Sequence, residues 1–216
     1  MLVQNAPQEV SREVARLLLE IKAIKLNQKN PFKWASGWSS PIYCDNRKSL
    51  SFPKVRKVIK EALCQQITSH YLDVEVIAGV ATAGIPQGAL VAEELGIPFV
   101  YVRSKPKGHG MENLIEGELF PDSKVVVIED LVSTGGSSLK AVEDLLHAGA
   151  QVLGMAAIFT YGFEIANENF RRANVPLVTL SNYSDMLTIA VEQRYISETD
   201  LSSLAEWRDN PESWGK

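Results

Sequence analysis

Lys124–Ala150, KVVVIEDLVSTGGSSLKAVEDLLHAGA, reads as a strand, an acidic pair, a glycine-rich turn and a helix. Val125, Val126, Val127 and Ile128 form a continuous β-branched run, the pattern of a strand buried on both faces of a parallel sheet. Glu129 and Asp130 follow at its carboxyl end, where open α/β sheets bind ligands. Ser133, Thr134, Gly135, Gly136, Ser137 and Ser138 then offer hydroxyls and closely approachable N–H groups at the start of a helix, whose dipole favours an anion. The turn reads as a phosphate cup. The helix predicted after it carries Leu139, Val142, Leu145 and Leu146 on one face and stops at Gly149.

Neither G-x-x-x-x-G-K-[ST] nor G-x-G-x-x-G occurs, so a Walker NTPase and a dinucleotide fold are unsupported. Here two carboxylates precede the cup. Carboxylates accept hydrogen bonds from hydroxyls and repel phosphate, so the layout suits a ligand with a phosphate at one end and a diol a few ångströms away, as in ribose 5-phosphate. An ordinary βα turn with a solvated acidic pair competes as the reading of the Glu129-Asp130 pair and its loop alone. The whole string VVVIEDLVSTGGS resembles the phosphoribosyl-diphosphate (PRPP) motif of the type I phosphoribosyltransferases. That resemblance implies PRPP contacts from Glu129, Asp130, Leu131, Val132, Ser133, Thr134, Gly135, Gly136 and Ser137.

The 216 residues, 45% hydrophobic, suffice for one sizeable core with a small appended lobe. A net charge of −4 leaves no broad basic excess for nucleic acid. Cys44 and Cys64 have neither CxxC spacing nor a nearby His pair, which argues against a disulfide scaffold or zinc site and for a reducing compartment. No basic-then-apolar leader is present, and Val76–Pro86, the longest apolar stretch, is too short and too glycine-broken to span a bilayer. The expectation is a cytoplasmic protein with no membrane partner.

Along the chain, Gln8–Leu26 has helical periodicity through Val10, Val14, Leu17, Leu18, Ile21 and Ile24. In Asn30–Leu50, Phe32, Trp34, Trp38, Ile42 and Tyr43 alternate with small polar residues, which fits either the core of a small lobe or contacts to a planar ligand. A helix is predicted at Ser51–Leu72, with Ser51 as N-cap and Pro53 in the first turn. Strands are predicted at Val74–Ala78, Pro98–Val102, Val152–Phe159 and Leu177–Leu180 besides the central one. Helices are expected at Gln87–Leu95, Glu164–Ala173, Ser184–Gln193 and Glu198–Trp207. Alternation of this kind gives a mostly parallel five-stranded sheet flanked by helices. The small-residue loop Gly79–Pro86 serves equally for tight strand–helix packing or for approach to a ligand.

Arg103–Leu119 is the remaining constellation, with Arg103, Lys105, Lys107 and His109 within seven residues and Pro106, Gly108 and Gly110 preventing a regular helix. It reads as a solvated tip or as a mobile lid that closes positive charge over a polyanion.

The segment FKWASGWSSPIYCDNR, from Phe32 to Arg47, together with the basic run RSKPKGHG, resembles orotate phosphoribosyltransferase more closely than other type I families. The resemblance implies the type I phosphoribosyltransferase fold as a single domain over 1–216, with a hood lobe at about 1–50 and an α/β core at about 51–208. It implies transfer of the 5-phosphoribosyl group from PRPP to orotate, giving orotidine 5′-monophosphate and pyrophosphate in pyrimidine synthesis. Catalytic roles fall on Arg103, Lys107, His109, Glu129 and Asp130, pyrophosphate contacts also on Thr82 and Ala83, and orotate contacts on Ser133, Ile42 and Tyr43. Mg²⁺ is the implied cofactor, held mainly by substrate oxygens without a protein cage. A homodimer that shares the catalytic loop across its interface is also implied. Ala35, Ala83 and Ser104 stand where various relatives have lysines, and Lys33 and Lys105 are the nearby lysines available to substitute. A purine-type phosphoribosyltransferase and a non-enzymatic PRPP-sensing regulator are the competing readings.

Overall fold

A computed structural model of the chain describes residues 2–34, 37–105 and 114–214. In chain order these form β1 (Val3–Asn5), α1 (Gln8–Glu20), β2 (Ile24–Leu26), β3 (Phe32–Lys33), β4 (Ser39–Ser40), β5 (Ile42–Cys44), α2 (Pro53–His70), β6 (Val76–Val80), α3 (Gly84–Leu95), β7 (Phe99–Val102) and β8 (Ile115–Glu116). There follow β9 (Lys124–Val132), α4 (Gly136–His147), β10 (Gln151–Thr160), α5 (Glu164–Ala173), β11 (Leu177–Asn182), α6 (Tyr183–Glu192) and α7 (Leu201–Asp209). Short 3-10 segments occupy Asn46–Ser51 and Glu198–Asp200.

The strand singled out by its β-branched run is the middle of the sheet, whose order is β1-β11-β10-β9-β6-β7-β8. Successive β9 side chains feed opposite cores. Val126 and Ile128 pack with residues of α1, α2 and α6, while Val125 and Val127 pack with Ala141, Val142 and Leu145 of α4 and Phe170 of α5. All four are 0% exposed, each contributing roughly 1.5–3 kcal/mol by burial. The sheet is parallel except at β8, which runs antiparallel to β7.

All five expected strands are present. Two short ones extend the sheet to seven among the described residues: β1 beside β11 and β8 beside β7. Both depend on pairing with a strand already in the sheet and carry too few residues for a periodic signal. The first helix ends at Glu20, earlier than its periodicity predicts. Lys22 adopts φ +55°, and Ile24–Leu26 turns back to pair antiparallel with Ile42–Cys44. Ile24 is buried either way, which is why the helical spacing ran on through it. Ser51 does not cap α2, because it lies in the 3-10 segment and Phe52 holds the cap position, with Pro53 at the first turn as expected. α3 begins at Gly84, ahead of Gln87. Leu146 is half exposed and leaves the packed face of α4 to Val142 and Leu145.

The hood is narrower than its predicted span, because residues 3–20 belong to the main sheet and to a helix packed on α6 and β11. What stands over the sheet is the pair of small antiparallel sheets, β2–β5 and β3–β4. Aromatic rings dock it. Trp34 contacts Tyr161 and Trp207, and Trp38 contacts Phe163. The fully buried Trp207 donates its indole N–H to Ser39 O at 3.2 Å, so α7 clasps the hood from the C-terminal side.

Candidate active site

β9 delivers Glu129 and Asp130 to the carboxyl edge of the sheet and then turns through Ser133–Gly135 into α4. Gly135 takes φ +81°, and a Cβ there would lie 2.8 Å from the Phe170 ring, so both the turn and its backing by α5 require glycine. Asn169 donates to Thr134 O at 3.0 Å and fixes the other side of the turn. Gly136 and Ser137 are exposed and Ser133 and Thr134 half-buried, which leaves an open concavity at the amino end of a twelve-residue helix.

The two carboxylates occupy different environments. Glu129 is 6% exposed, and its oxygens are engaged within the fold: Oε1 accepts the Asp130 N–H at 2.9 Å and Oε2 pairs with Ser138 Oγ at 2.9 Å. Burial, followed by the neighbouring Asp130 charge, pushes the Glu129 carboxyl up to about 8. Asp130 is also raised by burial, opposed by its contact with Glu129 and by the Arg47 charge. Asp130 is therefore the partly open carboxylate of the pair, and Glu129 braces the strand end behind it.

Beside this edge lies a cavity of about 380 Å³ lined by Lys33, Trp34, Tyr43, Cys44, Leu131, Ser133 and Tyr161. It is walled by rings and carries one cation, Lys33. Ser133 belongs to both the cavity and the glycine turn before α4. Burial holds the Tyr161 phenol and the Cys44 thiol well above their ordinary values, so both are neutral lining. A larger cavity of about 730 Å³ between α6 and α7 contains neither carboxylate nor glycine turn, so size alone does not mark the site.

On the other flank, the loop after β6 meets β9 closely. A Cβ on Gly84 would sit 2.4 Å from Ile128 O, and one on Gly79 would sit 2.9 Å from Gly84 O. These glycines are packing devices, while Thr82 is exposed and Ala83 half-buried at the strand ends. The Ala81–Thr82 peptide is cis. Arg103 follows β7. Its N–H bonds Leu114 O at 2.8 Å and its guanidinium lies 3.3 Å from Glu116, so the basic segment leaves and re-enters the fold through a two-stranded arm.

A phosphoribosyl transferase domain is matched over residues 50–185. The orotate phosphoribosyltransferase of Porphyromonas gingivalis is 59% identical over 94% of this chain and 96% of its own length. That of Cytophaga hutchinsonii is 56% identical over 95% and 99%. The chain belongs to the orotate phosphoribosyltransferase family. The crystal structure of orotate phosphoribosyltransferase from Aeropyrum pernix superimposes with a TM-score of 0.72 at 30% identity, covering 85% of this chain and 99% of that one.

Asp130, Ser133, Thr134, Gly135, Gly136 and Ser137 share one edge of the sheet with Thr82 and Ala83. Leu131 lines the ring-walled cavity. Val132, expected at PRPP, is fully buried in the core, and its C=O accepts from Thr160 Oγ1 at 3.1 Å. Tyr43 reaches the cavity, but Ile42, expected at orotate, is 0% exposed and packs in the core. The strand alternation responsible sends neighbours to opposite faces. Lys107, His109 and Ala35 lie outside the described residues. Tyr161 and Cys44 were not foreseen as lining. Tyr161 follows the carboxyl end of β10, the position at which an open sheet presents ligand contacts, and that rule could have found it. Among the described residues no three His, Cys, Asp or Glu side chains cluster to hold a metal ion, and no helix is long and apolar enough to cross a membrane.

Proposed function

We propose that the chain transfers the 5-phosphoribosyl group of PRPP to orotate, giving orotidine 5′-monophosphate and pyrophosphate in pyrimidine synthesis. The observation that carries this reading is Ser133. It opens the glycine turn that suits a 5′-phosphate and also lines the ring-walled cavity that suits a flat base. A ligand that joins a phosphate, a ribose and a flat base is the product itself.

In the proposed reaction the C1′–O bond to pyrophosphate breaks with its electron pair leaving on pyrophosphate, and C1′ bonds to the orotate ring nitrogen, whose proton passes to pyrophosphate or water. Positive charge develops on the ribose and negative charge on the leaving group. Asp130 lies beside the ribose and supplies a negative field to the developing cation, and Glu129 keeps it in place from behind. The N–H groups at the start of α4 and the hydroxyls of Ser133, Thr134 and Ser137 hold the 5′-phosphate. Trp34, Tyr43 and Tyr161 wall the base, and Lys33 faces its carboxylate in place of the lysine that some relatives carry at position 35. Arg103, Lys107 and His109 neutralise the departing pyrophosphate, and closure of their loop keeps water from the ribosyl cation. Mg²⁺ supplies further neutralisation of phosphate oxygens when bound. It would be carried by substrate oxygens, with Asp130 the accessible carboxylate beside them. The enzyme works in the cytoplasm as a homodimer whose catalytic loop serves the partner subunit's site.

Pyrophosphate release from PRPP and Mg²⁺ is expected with orotate and not with hypoxanthine, xanthine or adenine. Turnover of a purine base with none of orotate would overturn the assignment.

A further inference from the structure

The Asp130 peptide is held from both ends. Its N–H donates to Glu129 Oε1 at 2.9 Å, and its C=O accepts from Asn46 Nδ2 at 2.6 Å. β6 pairs with β9 only as far as Gly79 opposite Ile128, so beyond that point side chains take over from the strand ladder. Asn46 is 1% exposed and lies in the 3-10 segment of the hood, 84 residues away in sequence.

Both ends of the Asn46 amide are occupied, because Oδ1 accepts the Cys44 thiol at 3.3 Å. The chain of bonds then continues. Asn46 C=O accepts from Ser49 Oγ at 2.7 Å, and Ser49 Oγ accepts from Gln87 Nε2 at 3.2 Å. Gln87 stands in the first turn of α3, just after Thr82 and Ala83. Asn46, Ser49 and Gln87 are each no more than 2% exposed. Gln87 Oε1 has no partner among the described residues. A buried amide with one unmet acceptor is costly where an apolar side chain would fill the space, so its use lies in the bond it donates to Ser49.

We infer that Asn46 is a positioning residue: by holding the Asp130 carbonyl it aims the Asp130 carboxylate, and through Ser49 and Gln87 it ties that aim to the loop ahead of α3. The inference rests on the reading of Asp130 as the carboxylate beside the ribosyl cation. A displacement of about 1 Å at such a group costs on the order of 10²-fold in rate, and the Asn46 bond is what prevents it on the side where β6 has ended.

The test is a double-mutant cycle of Asn46→Leu, which keeps the branched side-chain shape and removes the amide, with Asp130→Asn. Asn46→Leu should lower kcat by roughly 10–10²-fold and leave KM for PRPP and for orotate within about threefold. In the Asp130→Asn background the same change should alter kcat by less than about twofold, because no carboxylate remains to be aimed. Wild-type kcat in Asn46→Leu, or an equal loss in both backgrounds, would overturn the inference. Normal turnover in Asp130→Asn alone would instead remove the reading beneath it, and that result does not involve Asn46. If Asn46→Leu fails to melt cooperatively, Ser49→Ala breaks the next link. It should lose roughly 3–10-fold in kcat with the same non-additivity, and normal kcat there overturns the inference equally.

Discussion

Gly84→Ala tests how closely the loop proposed to meet pyrophosphate is set against the acidic strand. The added Cβ would lie 2.4 Å from Ile128 O, against an ordinary contact of 3.4 Å or more, and 3.5 Å from Glu129 Cα. Both neighbours are backbone and cannot rotate aside, so α3 and β9 must separate by about 1 Å. Over-packing of this kind costs roughly 1–3 kcal/mol, which in a domain of this size lowers Tm by roughly 2–12 °C. Because Thr82 and Ala83 lead directly into Gly84, the same shift moves them away from Asp130, and kcat/KM should fall on the order of 10²-fold. Gly96→Ala serves as the control. Gly96 has φ +67° with nothing within 4 Å of a Cβ, so it should lose roughly 1–2 kcal/mol to left-handed strain and keep its activity. Thermal melts with steady-state pyrophosphate release on both variants decide the matter. Gly84→Ala with the parent's Tm and kcat/KM would show that the contact yields freely and refute the reasoning.

Glu129→Gln carries a pH signature. The raised Glu129 carboxyl gives a contribution that is whole below the ordinary carboxylate range and lost as pH rises toward about 8, because the unfolded chain ionises first. Glutamine can keep both hydrogen bonds and removes that loss, so the variant should gain on the parent by at least about 1 kcal/mol between pH 5 and pH 8; an equal Tm difference at the two pH values would place Glu129 at its ordinary value. Lys33→Ala should raise KM for orotate roughly tenfold, about 1.4 kcal/mol, with KM for PRPP unchanged; an unchanged orotate KM would take Lys33 out of carboxylate recognition. Mixing equal amounts of inactive Lys107→Ala and Asp130→Ala chains, with subunit exchange verified by tags, should restore about a quarter of parental activity, because each mixed dimer gathers both defects into one site. Mixed dimers as inactive as their parents would put the loop to work within its own chain.

The central strand, the glycine turn and the alternation around them were legible because each has a local cause. Val125–Ile128 carry a both-faces burial signal, and Gly135 needs its positive φ. The differing environments of Glu129 and Asp130 were not legible, because adjacent carboxylates look alike until Ser138 claims one of them. Ile42 and Tyr43 illustrate the same limit: both were apolar candidates for the base, and only the pairing of β5 with β2 decides which one faces the cavity. The helix that outran Glu20 was misjudged because Ile24 is buried in either conformation. Tyr161 follows the carboxyl end of a strand and could have been found by that place, whereas Asn46 reaches Asp130 from 84 residues away and no local pattern announces it.

The two outermost strands of the sheet have a consequence for the molecule in a crowded solution. β11 is buried along all six residues, and without Val3–Asn5 paired to Leu177–Thr179 its first half would present an open strand border, an invitation to pair with a neighbouring molecule. At the opposite border the two residues of β8 cover the end of β7 and run against the direction of the rest. Each cover is too short to template a further strand, which is how sheet proteins resist stacking edge to edge. The return limb of the basic loop thus also covers the border of the sheet at Tyr101 and Val102.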